Sequence, residues 1–153
     1  MRGAEIRALL EYLYWIRDRV LSAASQAEPD ADLRAKLVHE LDVESGWRAR
    51  LLGAEEIDLD PANFPTIDAI ADHWQRDEHE MWAWIATLTD HALAAPSAHE
   101  ANQVFPLWYY LVHVVCHGIQ ELEEAVVLLG PSGHSPRDLG FLDYADTTSD
   151  DVD

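Results

Sequence analysis

The sequence predicts an all-α chain folded as a four-helix bundle. Three observations carry this. Four segments of about 20 residues repeat apolar side chains every three or four positions. Each is bounded by a proline, a glycine or a capping residue, and no stretch alternates apolar and polar residues as a half-buried strand does. Four amphipathic helices with nothing else of size bury their apolar stripes against one another. At 153 residues the chain has room for one such core. The domain is placed at residues 1–144. Residues 145–153 are acidic and poor in apolar groups, which predicts a disordered tail.

The first segment, about 4–25, carries Ile6, Leu9, Leu10, Leu13, Ile16, Val20 and Leu21 at helical spacing. Pro29 ends the connection, and Asp30 is placed to cap a second segment over 31–52. There Leu33, Leu37, Leu41 and Leu51 form one stripe, and Gly53 stands where a helix commonly closes on a left-handed glycine. Residues 54–65 are acidic, hold Pro61 and Pro65, and read as a loop. Thr66 then caps a third segment over 67–88, with Ile67, Ile70, Trp74, Met81, Trp84, Ile85 and Leu88. A second long connection, 89–103, leads to the fourth segment, 107–129, which stops at Gly130–Pro131. Long second and third connections allow a topology other than up-down-up-down.

The net charge is −19 and Lys36 is the only lysine. Nucleic-acid binding rests mainly on neutralising phosphates, so that partner class is excluded, as is an anionic membrane surface. No apolar run of 18 residues exists and the N-terminus lacks the apolar core of a secretion signal. Cys116 is the single cysteine, so no internal disulfide can form. These features predict a soluble cytoplasmic protein. Cys116 reads as a small buried core residue rather than a nucleophile. Six tryptophans exceed what a small bundle core easily hides, and exposed aromatic patches mark interfaces, so a homodimer is expected.

The most informative stripe lies on the fourth segment. His113, His117 and Glu121 follow one another at four-residue spacing, which stacks them on one helix face. Cys116, Gln120 and Glu124 join that face, while Leu111, Val112, Val115, Ile119, Leu122, Val126 and Leu129 make the dry one. The polar face is either an ordinary solvated surface or the wall of a site. Several bundle chemistries are absent. No histidine has a Glu three residues before it, as a carboxylate-bridged di-iron bundle requires. His39–Glu40 does not continue as a zincin motif, and no P-loop or nucleophile elbow is present. A mononuclear site remains, for which imidazole and carboxylate suit Zn, Ni or Fe(II). His39, mid-segment and off the leucine stripe, is the candidate to complete it from the second helix. His73 and His79 read as surface residues, and His91 and His99 as loop residues.

Four stretches resemble the DinB/YfiT-like superfamily. LVHELDVESGWRARLLG (37–53) is similar to its second helix, and YLVHVVCHGIQELEEA (110–125) to its helix of pattern HVVNHGTQHR. GHSPRDLGFLDY (133–144) resembles the closing GHSPGDLDFLxY element, and EYLYWIRDRVL (11–21) the first helix. The resemblance implies a four-helix bundle of the DinB/YfiT-like type with a short C-terminal extension, often dimeric, binding a divalent metal through three histidines. It places the first ligand at His39, the second at His117 and the third at Glu121. His113 matches a histidine that is not usually a ligand, so it stands as an alternative ligand or as a residue orienting one. Cys116 replaces the family's Asn, and Leu122 its Arg. The implied set is therefore two His and one Glu, and the implied chemistry is metal-dependent hydrolysis or thiol-dependent transfer with a low-molecular-weight thiol. Against this enzyme stands a non-catalytic dimeric bundle whose metal site has decayed and whose cavity binds a small molecule. The substrate is not legible in the sequence.

Overall fold

The computed structural model describes residues 1–28, 30–99 and 104–149. Four long helices form where the apolar periodicity places them: α1 (Gly3–Gln26), α2 (Ala31–Leu52), α3 (Ile67–Ile85) and, after the short α4 (Asp90–Ala94), α5 (Leu107–Leu129). A last helix, α6 (Phe141–Ser149), follows. Among the described residues there is no strand, only an isolated bridge between Pro96 and Pro106. None of the described helices is long and apolar enough to cross a membrane.

The ends of these helices are set by local chemistry. Asp30 accepts from the N–H groups of Asp32 and Leu33, and Thr66 from that of Ala69, each satisfying amides that have no partner inside the helix. Gly53 closes α2 at φ 70°, a left-handed conformation that a side chain strains, and a Cβ there would also stand 2.6 Å from His99 Nδ1. Pro29, expected to end the first connection, lies outside the described residues.

The predicted stripes become the core. Ile6, Leu10, Leu13, Ile16 and Val20 from α1 meet Leu37 and Leu41 from α2, Ile70, Trp74 and Met81 from α3, and Leu111 and Leu122 from α5, all buried. Each such side chain contributes about 1.5–3 kcal/mol by leaving water. α1 and α2 each pack on both α3 and α5. Glu44 and Arg48 of α2 reach Trp74 and Asp77 of α3, so those helices run parallel. Lys36 and Trp47 of α2 meet Glu121 and Tyr110 of α5, so those run antiparallel. The two long connections make this order possible, since parallel neighbours need a crossover.

Two elements differ from the sequence reading. The connection over 89–103 contains α4, started by the Thr89 hydroxyl and tied to α1 by Gly3 N–H donating to Asp90 Oδ1 at 2.8 Å; it carries His91, expected in a loop. Residues 145–149, expected in a disordered tail, continue α6, while 150–153 lie outside the described residues. α6 is held by Tyr144, which packs on Tyr12 and Trp15 and donates to Glu11 Oε2 at 2.9 Å.

Candidate metal centre

On α2 the apolar stripe is not wholly apolar. Glu40, Glu44 and Arg48 fall at the spacing of Leu33, Leu37, Leu41 and Leu51, and the helix carries them into the interior. His39 stands one position off that stripe, at the exposed seam with α5. On α5, His117 and Glu121 lie one turn apart and half-buried, above the dry face. The antiparallel crossing of the two helices brings His39, His117 and Glu121 together. Each offers a ligand atom within 4.8 Å of the others, so the cluster could hold a metal ion.

Inside the cluster, His117 Nε2 is 3.9 Å from Glu121 Oε1, and the His39 and His117 ring centres are 6.3 Å apart. His117 Nδ1 points the other way, 2.9 Å from Glu40 Oε2. With its proton on Nδ1, the imidazole donates to Glu40 and keeps the Nε2 lone pair toward His39 and Glu121. Burial lowers the His117 pKa, and the nearby His113 and His39 act in the same direction against the raising charge of Glu121. The shift favours the neutral ring, the form that ligates a metal. Glu40 is almost wholly buried, and burial, then the charges of Glu44 and Glu121, push its carboxyl up to about 9. Lys36 Nζ donates to Glu124 and, at 2.9 Å, to Glu121 Oε2, and these bonds, that to Glu124 first, hold the ammonium above its ordinary pKa.

The donor set fits a mid-sized divalent ion. Two neutral imidazoles and a carboxylate oxygen match the ligand chemistry of Zn, Ni or Fe(II). Bonds of about 2.1 Å place tetrahedral ligand atoms roughly 3.4 Å apart. In the cluster the three ligand atoms lie within 4.8 Å of one another.

Other sequence candidates lie elsewhere. His113 is exposed and outside the cluster; its ring meets Trp47 edge-on at 5.4 Å. Cys116 is exposed, which corrects its reading as a core residue: it falls on the outer face of α5 with His113 and Gln120. His73 packs against Phe64, and His79 is exposed. Five buried charged residues, Arg17, Glu40, Glu44, Arg48 and Asp77, are not among the sequence candidates. Their signal was their place on helical core stripes, where a charged residue requires a partner.

No family model matches this chain, and no curated protein matches it in sequence.

Proposed function

We propose that this chain is a metal-dependent enzyme of the DinB/YfiT-like type, a four-helix bundle in which His39, His117 and Glu121 hold a divalent ion, either Zn, Ni or Fe. The observation that carries the reading is the convergence of three ligand atoms from two helices within 4.8 Å. A bound ion would supply Lewis acidity for hydrolysis or for transfer to and from a small thiol. The chain's own part is to bind and orient. α2 contributes His39, α5 contributes His117 and Glu121, and partial burial favours the neutral form of His117. Glu121 in place of a third imidazole lowers the net charge of the centre and so its Lewis acidity.

The test is metal analysis of protein purified without a histidine tag, followed by Zn and Ni titration of the native chain, Glu121→His and Glu121→Ala. About one equivalent bound is expected, with Glu121→His at least as tight as native and Glu121→Ala weaker. One observation favours a second reading, a non-catalytic bundle with a decayed site: the Lys36 ammonium already satisfies Glu121. Equal, negligible binding by all three proteins would establish that reading. Self-association belongs to the proposal in either case. Phe105 and Tyr109 are exposed and stacked at 5.4 Å beside Trp108, and light scattering should return twice the chain mass.

A further inference from the structure

We infer that Glu40 and Gly118 form the support that aims His117 at the cluster: Glu40 holds the imidazole through Nδ1, and Gly118 supplies the space in which the Glu40 carboxyl sits. This rests on reading His39, His117 and Glu121 as a metal centre. Four observations carry it. Glu40 is 1% exposed, on the dry face of α2 among leucines, where a carboxyl group is costly unless it is partnered. One of its oxygens meets His117 Nδ1 at 2.9 Å. The other, Oε1, is buried with no hydrogen-bond partner, an unfavourable state that packing alone does not explain. Across from it, in the middle of α5, stands a glycine, among the poorest helix formers. A Cβ at Gly118 would lie 2.8 Å from Glu40 Oε1 and 2.7 Å from Leu13 Cδ1. Neither distance is possible without movement, and the Glu40 carboxyl is boxed in by the core.

Glu40 is thus a positioning residue. A histidine that ligates through one nitrogen is fixed by what its other nitrogen bonds, and losing that bond typically weakens metal affinity about 10- to 100-fold. Gly118 acts one step further back: a methyl group there displaces the carboxyl, and the imidazole loses its anchor.

The experiment uses the full chain with Zn alone as probe, and the visible spectrum of the Co-loaded protein as a second readout. Glu40→Leu is expected to weaken Zn binding by about 10- to 100-fold and to alter the Co spectrum. Glu40→Gln keeps an oxygen that accepts from Nδ1 and should bind within a few-fold of native. Gly118→Ala should lose affinity as Glu40→Leu does, and the double variant should be no weaker than Glu40→Leu alone, because both act through one contact. Native affinity in Glu40→Leu, or additive losses in the double variant, would overturn the inference. Should Gly118→Ala not fold, the contrast between Glu40→Leu and Glu40→Gln decides alone. The metal reading fails separately, if the native chain binds no metal. The support is then read in the metal-free protein by proton NMR. A slowly exchanging hydrogen-bonded proton between His117 and residue 40 is expected in the native chain and in Glu40→Gln, and lost in Glu40→Leu. Its absence from the native chain would overturn the support.

Discussion

Glu40 and Glu44 stand one turn apart on the same face of α2, both buried, yet their surroundings differ in kind. Glu44 is closed on itself: Tyr14 donates to Oε1 at 2.7 Å and Trp74 Nε1 to Oε2 at 3.0 Å, from two other helices. Both of its oxygens are partnered from within the core. At Glu40 the polar groups run outward instead, through His117 to His39, Glu121 and Lys36 at the half-open seam with α5. The comparison teaches that a buried carboxylate is not itself a mark of function. What separates the two levels is whether every partner is internal, as at Glu44, or whether the chain of contacts ends on atoms with free lone pairs.

The largest effect should come from opening the closed level. Glu44→Ala leaves the Tyr14 hydroxyl and the Trp74 N–H buried without an acceptor. At about 1–3 kcal/mol for each donor, unfolding free energy at pH 5 should fall by roughly 2–6 kcal/mol. Denaturant unfolding measures this. A loss below about 1 kcal/mol would mean that Tyr14 and Trp74 find other partners and that this level is no tighter than its neighbour.

A subtler break uses protons. Burial, then the charge of Asp77, raises the Glu44 carboxyl from its ordinary 4.5 to about 7, while its bonds to Tyr14 and Trp74 pull the other way. Between those values the folded chain holds a proton that the unfolded chain has released. Stability therefore falls as pH rises from 4.5 to 7 and is level above that. Glu44→Gln lacks this dependence and still offers an acceptor. Relative to the native chain, its unfolding free energy should gain up to about 3 kcal/mol between pH 4.5 and 8. Parallel stability curves for the two proteins across that range would show that Glu44 does not exchange its proton on folding.

The same comparison shows what was legible in the sequence. Helix boundaries at Asp30, Gly53, Thr66 and Leu107 follow from local chemistry, and local chemistry is what a sequence displays. Four-residue spacing displays His113, His117 and Glu121 together, and an off-stripe position displays His39, because both are local patterns; only the family resemblance sets His113 aside. α4 was missed because five residues cannot show a period. α6 was missed because its acidic composition hides one tertiary anchor, Tyr144 against Tyr12 and Trp15. Cys116 was assigned to the core on residue type, although its position beside His117 put it on the outer face. Glu40 and Glu44 escaped for the opposite reason. Their partners, His117, Tyr14 and Trp74, lie 30 or more positions away, and only folding joins them.

The smallest effect concerns the open level. Lys36 is partly exposed and shared between a half-buried Glu121 and an exposed Glu124, so water screens its pairs and Lys36→Met should change stability by no more than about 0.5 kcal/mol. Its effect on metal binding should be larger and of the opposite sign. The ammonium lies on Oε2 of Glu121, while Oε1 faces His117. A divalent ion in the cluster shares that carboxylate with the lysine and is repelled by it. A unit charge a few ångströms from a divalent one costs about 1 kcal/mol even in a medium close to water, which is a five- to tenfold change in affinity. Zn titration of Lys36→Met should therefore give tighter binding than the native chain, and the gain should shrink as salt is raised. Weaker binding would mean instead that the ammonium holds Glu121 in place for the ion. The open level would then be organised like the closed one, by an internal partner on each carboxylate oxygen.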